Sequence, residues 1–220
     1  MQIIEAPSPN FNERKLPVSL IILHYTGMEN GPVALERMRD PEAQVSAHYM
    51  VEEDGRVFRL VADEKRAWHA GVSSWLGESD LNSASIGIEI VNGGHDFGLP
   101  AYPDVQIEAV IALLGDLMSR WSIPANRVIG HSDIAPGRKQ DPGEHFPWAR
   151  LVAAGCAAAL DAVDPMPGEA EDLLKQAGYG GDASLREVIA AFQRRWRPSK
   201  VDGLLDEETR DLIARAAGAA

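Results

Sequence analysis

Val18-Ser19-Leu20-Ile21-Ile22-Leu23-His24 decides how the first two-thirds of this chain is built. Four apolar residues in a row, two of them β-branched, show no helical period and no solvated face. A run this short reads as a strand buried on both sides. It ends on a histidine. Arg127-Val128-Ile129-Gly130 has the same character and is followed by His131. Ser85-Ile86-Gly87-Ile88-Glu89-Ile90-Val91 alternates, with the isoleucines on one face and Gly87, Glu89 and Val91 on the other. Ala47–Glu52, the turn pair Asp54-Gly55 and Arg56–Leu60 predict a hairpin. Helical patterns separate these runs at Gly31–Arg39, Asp104–Trp121 and Trp148–Leu160, the middle one carrying apolar residues at Ile107, Val110, Ile111, Leu114, Leu117 and Met118. Interleaved strands and helices predict an α/β (or α+β) domain, a mixed central β-sheet flanked by helices. Residues 1–17, polar and punctuated by proline, are expected to lie extended across the surface.

Asp164-Pro165-Met166-Pro167-Gly168 has linker composition and divides the chain at 1–163 and 164–220. Beyond it three helical patterns, Glu169–Ala177, Leu185–Trp196 and Asp206–Ala217, predict a small three-helix domain. The second opens with Ser184-Leu185-Arg186-Glu187, a reciprocal N-terminal capping box. About fifty residues make a marginal core, so this module is expected to dock on the first domain. Its basic group, Arg194, Arg195, Arg197 and Lys200, reads as a solvated helix end.

The net charge of −12 argues against nucleic acid and anionic membrane as partners, since both reward a basic surface. The single cysteine, Cys156, excludes an internal disulfide and sits in an alanine-rich run as a small buried residue. No apolar stretch reaches membrane-spanning length, and no obligate protein partner is evident. Without a basic segment followed by an apolar one at the N-terminus, the chain reads as cytoplasmic; the alternative is the periplasm or cell envelope after removal of an export signal.

If the strands ending at His24 and His131 are neighbours, their imidazoles meet at one edge of the sheet. The proline- and glycine-broken loop after His131 then brings Asp141 as a third ligand. Two histidines and a carboxylate are a set used by catalytic zinc, which keeps a fourth position for water. Glu89 is the candidate general base and Lys139 the candidate oxyanion stabiliser. Taken singly, each has an ordinary alternative: a hydrogen-bonded structural histidine, a half-exposed strand residue, a solvated lysine.

His24-Tyr25-Thr26, Ser46-Ala47-His48-Tyr49, Trp68-His69-Ala70-Gly71, Ser85–Glu89 and the run His131-Ser132-Asp133-Ile134-Ala135-Pro136-Gly137-Arg138-Lys139-Gln140-Asp141-Pro142-Gly143 together resemble the zinc-dependent N-acetylmuramoyl-L-alanine amidases of the AmpD/AmiD type. The matches follow family order through roughly residues 18–160. The resemblance implies one zinc ion per chain on His24, His131 and Asp141, Glu89 as the catalytic carboxylate and Lys139 on the oxyanion. It implies peptidoglycan or a muropeptide as substrate and suggests Arg138 as a contact for a stem-peptide carboxylate; His69, flanked by Trp68, Ala70 and Gly71, is the other substrate-binding candidate, with a packing histidine as its alternative. Gly178-Tyr179-Gly180, Ala191-Phe192-Gln193 and Val201-Asp202-Gly203 resemble a shortened peptidoglycan-binding domain. A non-catalytic peptidoglycan-binding or sensing protein is the reading from a different class, and the presence of all five chemical positions weighs against it. A zinc hydrolase of another amide is the third.

Overall fold

A computed structural model describes residues 2–219. In chain order the elements are β1 (Ile3–Glu5), β2 (Phe11–Glu13), β3 (Leu20–Tyr25), α1 (Gly31–Arg39), β4 (Tyr49–Val51), β5 (Val57–Arg59), β6 (Lys65–Ala67), α2 (Leu81–Ala84), β7 (Ser85–Ile90), α3 (Asp104–Trp121), β8 (Val128–Gly130), α4 (His131–Ile134), α5 (Trp148–Ala153), α6 (Ala170–Gln176), α7 (Leu185–Trp196) and α8 (Glu207–Gly218). Six strands form a mixed sheet in the order β1-β5-β4-β7-β3-β8. Strand β3, between β7 and β8, is parallel to both, and the β4–β5 hairpin is antiparallel. β2 and β6 form a separate two-stranded ribbon.

Strand alternation sends the sheet's side chains to two cores. Ile21, Leu23, Ile86, Ile88 and Ile90 lie under the apolar stripe of α3, from Ile107 to Leu117. Leu20, Ile22 and Ile129 face the other way and share one continuous core with Leu173, Leu174, Phe192 and Ile213 of the C-terminal helices. The module therefore completes the sheet's second layer instead of hanging from a tether. Truncating any of these fully buried aliphatics to alanine costs about 2–5 kcal/mol.

Local signals set the helix ends. Asn30 accepts from the Val33 amide at the start of α1. The Ser184–Glu187 capping box opens α7 as expected. Two expectations need correction. Residues 1–17 are not simply draped over the surface: β1 pairs with the free edge of β5, and β2 with β6. Such short edge pairings rest on backbone amides and leave no apolar alternation to read. The helix expected over Trp148–Leu160 stops at Ala153. Gly155 turns left-handed at φ 72, and the Cys156 amide returns to the Leu151 carbonyl.

Candidate active site

Parallel pairing brings the chemical residues together. The β3–β7 register sets His24 opposite Glu89, and the β3–β8 register sets Leu23 opposite Gly130, one residue before His131. Both histidines and Glu89 thus emerge at the carboxyl ends of adjacent strands, where open α/β sheets place their sites. The loop from α4 folds back so that Asp141 reaches the same point. Its backbone carbonyl accepts from the Ser132 amide at 2.8 Å.

His24 Nδ1 lies 2.8 Å from His131 Nδ1 and 3.0 Å from Asp141 Oδ2, and His131 Nδ1 lies 2.9 Å from that oxygen. The hydrogen-bond network assigns the tautomers. His131 Nε2 donates to the Ala70 carbonyl at 3.0 Å, leaving Nδ1 a lone pair. Ser85 Oγ donates to the Leu81 carbonyl, so it accepts from His69 Nε2. His69 Nδ1 then accepts from His24 Nε2 at 3.0 Å, which leaves His24 Nδ1 a lone pair too. Two imidazole lone pairs and a carboxylate, all buried and pointed at one spot, repel one another unless a cation lies among them. The donor set fits a divalent metal.

Burial and the nearby His131 lower the His24 imidazole to about 4, so it is neutral at pH 7. Burial pushes the Glu89 carboxyl well above the ordinary value, the Asp141 charge adds to this, and Lys139 opposes it. Glu89 Oε2 is buried with no hydrogen-bond partner among the described residues. It is a carboxyl poised to exchange a proton.

A cavity of about 660 Å³ opens over this point, lined by His24, Glu89, His131, Arg138, Lys139 and Asp141, and also by Arg37 and Trp68. Arg138 lines it while its Nη2 donates to the carbonyls of Ala70 at 2.9 Å and Val72 at 2.5 Å. His69 also borders the cavity, with its ring packed behind His24. Gly87 supplies the room: a β-carbon there would lie 2.5 Å from His69 Cγ. His48 buttresses the same strand, accepting from the Gly87 amide at 3.0 Å.

Nothing in the sequence around His95 assigns it a role. It lies on the cavity wall, accepts from the Tyr25 hydroxyl at 3.0 Å and donates to Glu144 at 3.0 Å. Tyr25 ends β3 while His95 and Glu144 lie in separate connecting segments, and no local signal links the three. The solvated helix end expected around Arg195 is also corrected. That guanidinium is 7% exposed, lies between Trp148 and Trp196, and is paired to Asp133 at 3.0 Å.

A mixed sheet whose strand ends present two imidazoles, a carboxylate and an unpartnered carboxylic base, beneath a deep cleft, has the layout of a metal-assisted hydrolase. The chain belongs to the N-acetylmuramoyl-L-alanine amidase family, whose model matches residues 14–144. It is 35% identical to the N-acetylmuramoyl-L-alanine amidase AmiD of Escherichia coli over 226 residues, 89% of this chain and 80% of that protein. It is 46% identical to the 1,6-anhydro-N-acetylmuramyl-L-alanine amidase AmpD of Citrobacter freundii over 110 residues, 50% of this chain and 57% of that one. The solved structure of E. coli AmiD with its substrate anhydro-N-acetylmuramic acid-L-Ala-D-gamma-Glu-L-Lys superposes with a TM-score of 0.79 at 30% identity, covering 95% of this chain and 96% of that one. Pseudomonas aeruginosa AmpDh3 in complex with anhydromuramic pentapeptide matches equally, with a TM-score of 0.79, 35% identity and 90% of each chain covered.

Proposed function

We propose that this chain is a zinc-dependent amidase that cleaves the bond between N-acetylmuramic acid, or its anhydro form, and L-alanine. Residues 1–163 make the catalytic domain and 164–220 a peptidoglycan-binding-like module. The observation that carries this is the triangle of lone-pair atoms on His24, His131 and Asp141 beside the unpartnered Glu89, in a chain of the amidase family. Anhydro-muropeptides in the AmiD and AmpDh3 complexes support a soluble anhydro-muropeptide as a substrate here.

His24, His131 and Asp141 hold the ion; when bound, zinc supplies Lewis acidity, easing loss of a proton from water and polarising the scissile carbonyl. Glu89 accepts that proton as water attacks the lactyl carbonyl. It returns the proton to the alanine nitrogen as the C–N bond breaks, giving a lactyl carboxylate and a free amine. Lys139 compensates the charge developing on the carbonyl oxygen. Arg138, at the cavity edge, meets a stem-peptide carboxylate, and His69 borders the bound substrate while holding His24 in its tautomer.

Mass spectrometry of products from anhydro-muropeptide and from sacculi, with and without chelator, tests this. The expected result is a free L-alanine-terminated peptide whose release stops with chelator and resumes with zinc. Intact substrate, or a cut elsewhere in the stem, refutes it.

A further inference from the structure

The loop between the two ligands His131 and Asp141 is held at both ends by successive residues of one helix. Asp133, two residues after His131, is fully buried. Its Oδ2 accepts from the Gly130 amide at 2.8 Å and from Arg195 Nη1 at 3.0 Å, and its Oδ1 accepts from the Tyr179 hydroxyl at 2.7 Å. Arg195 Nη2 donates to the Val128 carbonyl at 3.0 Å. One guanidinium thus ties Val128, the first residue of β8, to Asp133 in α4, spanning the corner from which His131 emerges. Glu144, three residues after Asp141, accepts from Arg194 Nε at 3.2 Å as well as from His95, whose partner Tyr25 lines the cavity. At the tip of the loop, a β-carbon on Gly137 would lie 2.6 Å from Glu187, in the first turn of the same helix. Residues 187, 194 and 195 of α7 therefore touch the tip and both ends of the loop.

We propose that α7 is a splint for the metal-ligand loop. Arg195 and Arg194 act as positioning residues that set where His131 and Asp141 present their donor atoms. The C-terminal module is then part of the hydrolytic unit, whatever it contributes to wall binding. This rests on the reading of His131 and Asp141 as ligands. The physical reason is rigidity: α4 is a single turn, and the contacts from α7 to Asp133 and Glu144 limit how far a loop broken by proline and glycine can shift. A bidentate guanidinium held between two indoles has no freedom to drift.

The test is zinc affinity by chelator competition and the visible spectrum of the cobalt-substituted protein, measured on the full chain for Arg194→Gln, Arg195→Met and Arg195→Lys. Arg197→Gln, which cuts a pair inside the module and touches no part of the loop, is the control. The splint predicts about tenfold or greater loss of zinc affinity and a shifted cobalt spectrum in Arg194→Gln and Arg195→Met. It also predicts a fall in kcat on anhydro-muropeptide at little-changed KM, partial recovery in Arg195→Lys, and wild-type values in Arg197→Gln. Arg194→Gln breaks only a partly buried contact and decides the matter if Arg195→Met fails to fold. Wild-type affinity and spectrum in a folded Arg194→Gln overturn the splint, as does an equal loss in Arg197→Gln. Asp141→Ala, run alongside, separates the two readings. If it keeps full zinc affinity, the ligand assignment falls; if it loses zinc while the arginine variants keep it, only the splint falls.

Discussion

At the carboxyl ends of β3 and β8, three lone-pair atoms meet within 3.0 Å of one another, and Glu89 next to them keeps a buried oxygen without a partner. At the end of α7 the polar atoms are arranged the other way. Asp206 takes Arg197 at 2.7 Å, Lys200 at 2.9 Å and the Thr209 amide at 3.0 Å. In the helical module, charge meets opposite charge. At the sheet end, like meets like. Folding tolerates a cluster of mutually repelling groups only where something outside the chain balances it, so the contrast separates the part that reacts from the part that supports.

Removing one corner of the triangle should break the contrast most. Asp141→Ala is expected to lose the metal and with it all measurable turnover, and elemental analysis checks this directly. Glu89→Gln leaves the triangle intact. Zinc should stay near one per chain while kcat falls roughly 10²–10⁴-fold, and loss of zinc from this variant would refute the division of roles. Lys139→Ala is expected to cost about 10²-fold in kcat with KM little changed, read from initial rates on anhydro-muropeptide. The mildest test is pH. His48 is held near 3 by burial, with Arg14 adding to it, against an ordinary 6.5. The unfolded chain binds a proton below about pH 6.5 that the fold refuses, so stability falls as pH drops from there toward 3. The slope approaches about 1.4 kcal/mol per pH unit for such a histidine. Urea midpoints at pH 7 and pH 5 should show the decline, and His48→Gln should flatten it.

The sheet end is the part of the molecule most legible in the sequence. Ile21, Leu23 and the alternating isoleucines of β7 declare their face, and that face places Glu89 beside His24 on the opposite one. The extent of α3 and the start of α7 follow from the apolar stripe of α3 and the Ser184–Glu187 box. What stayed hidden depends on distant partners. Arg195 reads as a surface cation until Asp133, 62 residues earlier, is found beside it. His95 has no visible role until Tyr25 and Glu144 close around it. β1 and β2 gain their shape only from the edges they meet. Periodicity reports burial well and pairing poorly, because pairing is a property of two segments.

His24 and His131 lie 107 residues apart in the chain, and Asp141 lies 117 from His24. No short peptide cut from this protein contains the site. Contacts so far apart in sequence close only after the intervening loops have surrendered their freedom, so they form late. Metal uptake during refolding should therefore lag behind helix formation and keep time with the docking of β8 against β3. A colorimetric ion added to the refolding mixture would act as a stopwatch for the last stage of assembly.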